Sequence, residues 1–346
     1  MKVIFLSPAG TEDAFFGPMI GVMEVTAERL GISLEILACG RSAAVFEAKG
    51  RELCRRTETP EYLLLVNENE TGVTLLPELA AKGYRILTLS QGFSTADRAL
   101  LGKPRTQYPN WLGELVPDDC PAGFRLAETL IAEARAKHLQ AADGKLHMLA
   151  VSGPFTTASI LRLNGLRAAV SAHPDVVLEE VAPAGWSEDR AFTAGQEMLR
   201  RVPQASMVWA ANDTMALGAT RAVAELRSRA LRFEPVLIGG VDWSAFVPDK
   251  IRSGEMTVSM GGHFFDGAWA LLLLHDYHRG VDFPRLDMQS HLSAMHGANV
   301  DRFDTLLRPS TWRSLDLSRF SRALHPANRP FEIAPETLLQ EPPRFG

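Results

Sequence analysis

Short apolar segments alternate along this chain with longer segments whose apolar residues recur every three to four positions. The apolar segments have the length of strands buried on both faces, and the longer segments have the period of amphipathic helices. Such alternation predicts parallel sheets built from strand–helix–strand units. The predicted strands are 2–7, 33–39, 61–67, 84–90, 146–152, 176–181, 207–211, 236–241 and 256–260, and the predicted helices are 16–30, 43–56, 75–82, 124–137, 158–171, 188–201, 215–229 and 264–279.

The alternation forms two series of similar order and size. A polar, proline-containing stretch at 92–111 separates them, and we interpret it as a long excursion at the surface or near a ligand. Two similar α/β lobes are therefore predicted, and a cleft between lobes is the usual place for a small-molecule site. After about residue 290 the periodicity fades. The Leu, Trp and Phe residues of 306–320 nevertheless favour a tail that packs across a lobe.

Composition narrows the class of protein. The chain has 346 residues, which suits two domains, and 46% hydrophobic and 22% charged residues, as in globular proteins. The net charge is −5 and no cluster of Lys and Arg is dense, so we expect no nucleic-acid partner. The apolar runs stay below the roughly 18 residues of a membrane-spanning helix.

The N-terminal segment bears on location, whereas the cysteines do not settle it. The apolar segment 3–6 is too short for a signal peptide, which leaves a cytosolic protein and an exported protein without its leader as alternatives. Cys39, Cys54 and Cys120 are odd in number and lack the spacing of a metal site. We therefore predict that all three are free thiols and that Cys39 and Cys54 are buried.

The most informative segment is 207–219. An apolar strand there ends in Asn212-Asp213-Thr214, three residues that suit a helix N-cap, and good helix formers follow. Polar groups at the carboxyl end of a parallel strand lie where open α/β sheets bind ligands. The alternative is an ordinary strand–cap–helix junction without a ligand.

Polar and aromatic residues follow other predicted strands as well. Phe15 and Phe16 are adjacent aromatic residues after the first strand. One of the two rings can lie in the core and the other over a ligand. Each position also has a structural interpretation: an N-cap at Asp13, a core pair of rings, an internal ion pair at Arg162. The candidate ligand-binding residues are Asp13, Phe15, Phe16, Asn67, Ser90 and Gln91 in the first lobe, Arg162, Trp186, Asn212 and Asp242 in the second, and His263, which follows the last predicted strand.

Motifs for catalysis are absent from the sequence. It contains no Gly-x-Ser-x-Gly elbow, no His-Glu-x-x-His and no phosphate-binding glycine loop. His275 and His278 lie near the end of a predicted helix, where we interpret them as surface caps and not as metal ligands. We therefore expect no catalytic residue, no metal and no cofactor. An enzyme that uses His263 with Asp242 is the weaker alternative.

Four segments resemble the type I periplasmic binding proteins over roughly residues 2–290. The resemblance is to the sugar-binding group typified by ribose-binding protein, which shares its fold with the effector domains of lactose-repressor-type regulators. The segment Ala211–Ala219 is the most specific. The others are Ala14-Phe15-Phe16, Arg162-Leu163-Asn164-Gly165-Leu166 and Ile238-Gly239-Gly240-Val241-Asp242.

The resemblance implies an α/β fold with two similar, doubly wound parallel-sheet lobes joined by a three-segment hinge. We expect one lobe at 1–118 plus 263–290, the other at 119–262, and an extension at 291–346 that packs on the lobes. The hinge crossings are expected near 117–120, 261–263 and 288–292.

Roles for single residues follow from the same resemblance. It implies that Asp13 and Phe16 are a polar contact and a stacking ring with Phe15 beside them, and that Trp186 is the ring of the opposing lobe. Arg162, Asn212 and Asp242 correspond to residues that bind sugar hydroxyls. Ribose binders have Asp-Arg where this chain has Ser90-Gln91, and Gln near His263, so ribose itself is not implied.

The function implied is that of a monomeric periplasmic receptor. It would close around a monosaccharide or polyol and present it to an ABC importer or to a membrane sensor kinase or chemoreceptor. The alternative is the effector-binding domain of a lactose-repressor-type regulator, which predicts a helix-turn-helix ahead of the first strand.

Overall fold

A computed structural model of the chain describes residues 1–57, 62–231, 235–327 and 331–339. These residues divide into two units, each described here by itself. Unit 1 contains Met1–Pro117, His263–His291 and the described residues from Arg308 onward. Unit 2 contains Asp118–Gly262 and Leu292–Leu307.

Strands and helices alternate through most of the chain. The strands are β1 (Lys2–Ser7), β2 (Ser33–Ala38), β3 (Tyr62–Leu65), β4 (Arg85–Leu89), β5 (Trp111–Pro117), β6 (Leu146–Ser152), β7 (Val176–Pro183), β8 (Met207–Ala210), β9 (Leu237–Asp242), β10 (Val258–Gly261), β11 (Asp287–Ser290) and β12 (Ser293–His296). The α-helices are α1 (Phe16–Leu30), α2 (Ala43–Arg55), α3 (Gly72–Ala81), α4 (Thr95–Leu101), α5 (Asp119–Ala136), α6 (Thr157–Ala172), α7 (Glu188–Arg201), α8 (Asp213–Ser228), α9 (Val247–Arg252), α10 (Asp266–His278), α11 (Val300–Asp304), α12 (Pro309–Ser314) and α13 (Pro335–Leu339).

Each unit contains one six-stranded sheet. The order in unit 1 is β11-β5-β4-β3-β1-β2, with parallel neighbours throughout. The order in unit 2 is β12-β10-β9-β8-β6-β7, parallel except for the antiparallel edge strand β12. The chain reverses its direction of winding at β1 and at β6, and ligands of doubly wound sheets bind at the carboxyl strand ends beside such a reversal. The predicted fold class is confirmed.

Burial explains why the central strands were predictable. All residues of β3 and of β8 are buried, which requires the continuous apolar runs seen in the sequence.

Helix α10 is buried from Asp266 through Asp276, because helices and chain segments of unit 1 cover it on several sides. His275 is therefore inside, where it accepts a hydrogen bond from Arg279 Nε at 3.0 Å, so the surface-cap interpretation of this residue is wrong.

Several elements were not predicted. Strand β5 was missed because Gly113 and Glu114 interrupt its apolar pattern, and the excursion at 92–111 contains α4, which begins with a Ser94–Asp97 capping box. Edge strands β11 and β12 are short and partly polar, and α9 has only six residues. Residue 61 of the predicted third strand lies outside the described residues.

The predicted extension at 291–346 is not one piece. Residues 292–307 belong to unit 2, where β12 pairs with β10 and Phe303 packs on Trp243 with ring centroids 4.6 Å apart. From Arg308 the chain belongs to unit 1, where Trp312 lies against Gly21. A fourth crossing thus follows Leu307. The other divisions fall after residues 117, 262 and 291.

Two further expectations concern the thiols and membranes. Cys39 is buried, and burial raises the pKa of its thiol to about 11, whereas Cys54 is only half-buried. Within the described ranges, no helix combines the length and the apolar character needed to cross a bilayer.

Candidate functional site

In unit 2, the Arg162 guanidinium connects three elements at the carboxyl ends of the strands. Its Nε donates to Asp119 Oδ1 at 2.7 Å, and its Nη1 donates to the Ala211 carbonyl at 2.8 Å and to Asp242 Oδ1 at 3.3 Å. Arg162 is 5% exposed. A charge buried to this degree must be paired and hydrogen-bonded, so the internal ion pair considered for Arg162 is present, and two predicted residues, Arg162 and Asp242, are in direct contact.

Close packing of α5 on α6 makes this arrangement possible. A Cβ atom at Gly123 would lie 2.0 Å from the Arg162 carbonyl oxygen, and one at Gly165 would lie 2.1 Å from the Cys120 carbonyl oxygen. Only glycine allows the two backbones to approach so closely. The first turn of α5 thereby brings the Asp119 carboxylate to Arg162.

Asp119 was not among the candidates. Its signal in the sequence is a pair of aspartates, Asp118-Asp119, directly after an apolar segment. Because β5 was not recognised as a strand, this pair was not recognised as a strand end.

The turn that holds Asp242 has an unusual backbone. Asp242 and Trp243 both have positive φ angles, 127° and 59°, a conformation that is costly for residues other than glycine. Asp213 and Ser259 hold the turn in place: Asp213 Oδ2 accepts from Ser244 N at 2.8 Å and Oδ1 from Ser259 Oγ at 2.7 Å. Ser259 O also accepts from Trp243 Nε1 at 3.0 Å. Strain maintained in this way is typical of functional sites.

Asp213 is a buried carboxyl group of this region whose pKa is strongly shifted. Burial first, and the nearby Asp242 carboxylate second, raise the pKa of Asp213 to about 7. Two hydrogen bonds and the Arg162 charge oppose this rise. A carboxyl group that titrates near neutral pH therefore supports the turn at Asp242.

Asn212 and Trp186 also lie at the strand ends of unit 2. Asn212 Oδ1 accepts from Met215 N at 2.9 Å, so the predicted N-cap is present at this position. Trp186, which follows Gly185, is half-buried, and its backbone is left-handed with φ of 65°. Its ring covers Gly153, where a Cβ atom would come within 2.4 Å of the ring. A ligand role for these two residues stays a prediction.

In unit 1, Asp13 has two sets of partners. Its Oδ1 accepts from the backbone amides of Phe15 and Phe16, both at 2.9 Å, which is the N-cap alternative of the sequence analysis. It also forms a bidentate ion pair with Arg41, with Nε 2.8 Å from Oδ2 and Nη2 3.0 Å from Oδ1. Burial alone would raise the pKa of Asp13, but Arg41 and the two amides outweigh it and hold that pKa below its ordinary value.

The two aromatic rings differ in exposure. Phe16 is 3% exposed and packs on Phe5, so it is the core ring of the pair. Phe15 is half-buried, meets Phe16 edge-on at 5.1 Å and lies 4.7 Å from the His263 ring. Phe15 is therefore the ring with the larger exposed surface, and the stacking role that the resemblance implied for Phe16 stays a prediction. His263 is buried behind Phe15.

The remaining candidates of unit 1 follow β3 and β4. Asn67 is fully buried, and its amide donates to Gly92 O and accepts from Gly72 N, both at 3.0 Å. Both ends of the Asn67 side chain bind backbone, which is a structural role, and its role as a ligand contact stays a prediction. Gln91 Nε2 donates to the Asn67 carbonyl, and Ser90 is half-buried with a left-handed φ of 65°.

No cluster of three or more His, Cys, Asp and Glu residues with the geometry of a metal site occurs in the described part of the chain. The groups at the strand ends are instead paired carboxylates, guanidinium groups, amides and rings. Such groups recognise hydroxyls by hydrogen bonding and apolar sugar faces by stacking.

Comparison with known proteins identifies the family. Residues 117–280 match the family described as periplasmic binding protein domain. A periplasmic sugar-binding protein from Pseudomonas fluorescens is 30% identical with a TM-score of 0.85, and the alignment covers 98% of this chain and 99% of that one. This chain belongs to the type I periplasmic binding protein family. The predicted family, its periplasmic location and the expectation of a binding protein that is not an enzyme are confirmed by these relatives.

Two curated relatives match shorter segments of the chain. The D-allose-binding periplasmic protein of Escherichia coli (strain K12) is 31% identical over 116 residues, which is 33% of this chain and 36% of that protein. The D-apiose import binding protein of Actinobacillus succinogenes is 31% identical over 99 residues, 29% of this chain and 30% of that protein. The chain thus matches about a third of the length of these curated relatives. An Actinobacillus succinogenes solute-binding protein with bound D-allose shares the fold, with a TM-score of 0.74, 17% identity and coverage of 87% and 99%.

Proposed function

We propose that this periplasmic binding protein is a receptor for a small hydroxylated ligand, a monosaccharide or a similar polyol. Ligand binding shifts the chain toward a closed arrangement. The proposed ligand contacts are Asp13, Phe15, Phe16, Asn67, Ser90, Gln91 and His263 in unit 1 and Arg162, Trp186, Asn212 and Asp242 in unit 2.

The observation that most supports the proposal is the Arg162–Asp242 pair at the carboxyl ends of β8 and β9. In this pair a guanidinium lies beside a carboxylate, so donor and acceptor groups are neighbours, the chemistry that recognises adjacent hydroxyls of a sugar. The half-exposed Phe15 ring of unit 1 offers an apolar face. These are the two chemistries that a carbohydrate ligand requires.

The names of the relatives favour the same ligand class. They include binding proteins for D-allose and D-apiose among curated proteins, and structures with bound D-allose and myo-inositol. Because the D-apiose proteins are named for import, we further propose that the ligand-bound form is delivered to an ABC importer, and that the receptor acts as a monomer. A sensor kinase or chemoreceptor is the alternative membrane partner.

Thermal unfolding in the presence of a panel of sugars and polyols tests the ligand class. A true ligand at 100 times its dissociation constant stabilises the folded chain by about 2.7 kcal/mol. The hits are then measured by calorimetry on Arg162→Gln in unit 2 and Phe15→Ala in unit 1. We expect each substitution to abolish or strongly weaken binding.

Arg201→Gln is the matched control, because Arg201 forms an exposed ion pair with Glu180 in the same unit as Arg162. It should bind like the unsubstituted chain. If Arg162→Gln does not fold, Phe15→Ala still decides, since its ring is half-exposed. The proposal would be overturned if no sugar or polyol stabilised the chain. It would also be overturned if Phe15→Ala and a folded Arg162→Gln both bound the ligand as tightly as the unsubstituted chain.

A further inference from the structure

Arg41 is a residue of unit 1 that neither the motifs nor the resemblance marked. It follows Gly40 at the end of the loop after β2, and both residues are left-handed, with φ of 57° and 59°. Its backbone amide donates to Pro8 O at 2.7 Å, which ties this loop to the loop after β1. A strained backbone held by a neighbouring loop indicates that the position of the side chain matters.

The Arg41 guanidinium is fixed on two sides. Asp13 accepts two hydrogen bonds from it, and its Cζ lies 4.8 Å from the centre of the Phe16 ring. The side chain is still 43% exposed. An arginine held by a bidentate carboxylate and a ring presents its outer edge in one orientation, so it loses little side-chain entropy when it binds an acceptor.

The charges around Arg41 restrict what it can bind. Asp13 is in contact with it, and Glu68 is close enough that the charges of Arg41 and Asp13 both act on its titration. In unit 2, Arg162 is similarly surrounded, by Asp119 and Asp242 in contact and by Asp213 nearby. Without Asp213, whose pKa is raised to about 7, two carboxylates still accompany one guanidinium in each unit: Asp13 and Glu68 with Arg41, and Asp119 and Asp242 with Arg162. An anionic ligand would meet repulsion from both pairs of carboxylates, whereas hydroxyls can donate to the carboxylates and accept from the arginines.

We propose that Arg41 is a specificity-determining ligand contact, and that with Asp13 it selects an uncharged polyhydroxylated ligand over sugar acids and sugar phosphates. This inference rests on the proposed sugar-binding function. Ser90 and Gln91, which follow β4, are uncharged. In unit 1 the loops after β1 and β2 supply a carboxylate and a guanidinium in the form of Asp13 and Arg41.

Two measurements test this proposal. The first compares neutral sugars with acids of the same skeleton on the unsubstituted chain: D-galactose and D-glucose against D-galacturonate, D-glucuronate and glucose 6-phosphate, together with D-allose and myo-inositol. We expect the best neutral compound to bind at least 50-fold more tightly than any acid or phosphate. Because charge repulsion is screened by salt, the preference for neutral sugars over the acids and phosphates should decrease at high salt.

The second measurement is a double-substitution cycle on the best neutral ligand. Arg41→Gln and Arg41→Lys should each weaken binding by tenfold or more, because neither replacement has the parallel donors of a guanidinium. Arg51→Gln is the control, since Arg51 is an exposed arginine of unit 1 paired with Glu47, and it should change affinity less than twofold. In an Asp13→Asn background, Arg41→Gln should still weaken binding, which a residue that only held Asp13 in place would not do.

The outcomes separate this inference from the function on which it rests. If the unsubstituted chain binds no sugar, neutral or charged, the proposed function fails. If it binds a neutral sugar and both Arg41 variants bind equally well, or if Arg41→Gln has no effect in the Asp13→Asn background, the role of Arg41 is wrong. Tighter binding of an acid or phosphate than of every neutral sugar would overturn the ligand class. Should Arg41→Gln fail to fold, Arg41→Lys and the comparison of neutral and acidic sugars decide.

Discussion

Asp119 accepts a hydrogen bond from Arg162 Nε at 2.7 Å, and both side chains are buried. Removing Asp119 leaves the buried Arg162 charge with only the longer Asp242 contact as an ionic partner, so we expect Asp119→Ala to lower the free energy of unfolding by up to about 3–5 kcal/mol. Urea denaturation measures this loss. Asp175→Ala breaks an exposed pair with Arg135 and should lower stability by less than about 1 kcal/mol. Equal losses in the two variants would show that the Asp119–Arg162 pair does not behave as buried.

Gly165 sets the distance between α5 and α6. A methyl group there would lie 2.1 Å from the Cys120 carbonyl oxygen, so Gly165→Ala must push the helices apart. We expect a loss of about 1–3 kcal/mol or more in unfolding free energy and weaker ligand binding, since Asp119 and Arg162 lie on these helices. Gly297→Ala is the control, because a Cβ at this exposed glycine meets no atom within 4 Å. A fully stable Gly165→Ala would contradict the close helix contact.

Asp213 should make stability depend on pH. Its pKa is about 7 in the folded chain against an ordinary value of 3.8, so between these values the folded state binds the additional proton. The free energy of unfolding should therefore fall as the pH rises from about 4 to about 7. At about 1.4 kcal/mol per pKa unit, the upper limit of this fall is about 4 kcal/mol.

Urea denaturation at pH 5 and at pH 8 checks this prediction. The unsubstituted chain should lose more stability between the two pH values than Asp213→Asn, whose amide does not titrate. Comparing the two proteins removes the contributions of groups that do not interact with Asp213, so the difference reports Asp213 together with the nearby Asp242 and Arg162 charges. Identical pH profiles would mean that Asp213 titrates normally.

Trp312 should be important for the stability of unit 1. It is 8% exposed and lies against Gly21, where a Cβ atom would come within 2.7 Å of its ring, and its centroid is 6.1 Å from that of Phe264. Trp312→Ala should lower the free energy of unfolding by about 3–5 kcal/mol. Leu231→Ala, at a 62% exposed side chain, should change it by less than about 0.5 kcal/mol. A minor effect of Trp312→Ala would mean that the last segment of the chain is only loosely packed.

The sequence predicted those elements whose pattern is local. Strand β6 and helix α7 begin and end where the sequence placed them, because an apolar run and a 3.6-residue period are properties of neighbouring residues. Strands β5 and β12 were missed because their local patterns are weak: Gly113 and Glu114 interrupt β5, and β12 is short and partly polar. Pairing with β4 and with β10 stabilises these strands, and the pattern along the chain does not show that pairing.

The candidate residues show the same division. Position after a strand was enough to select Asp242 and Phe15, because the carboxyl ends of parallel strands lie at one edge of a sheet. Arg162 was selected because it is a charged residue in an otherwise apolar helix and matches the family pattern. Asp119 and Arg41 were not selected, since only the tertiary structure brings each of them to its ionic partner.

The sequence by itself determined the parallel α/β architecture and the strand ends at which polar groups gather, because periodicity and strand–helix order are encoded along the chain. The tertiary structure alone decided which of the adjacent rings Phe15 and Phe16 has an exposed surface, and which carboxylates hold the arginines. Burial and ion pairing depend on contacts between residues far apart in sequence, and no local pattern specifies those contacts.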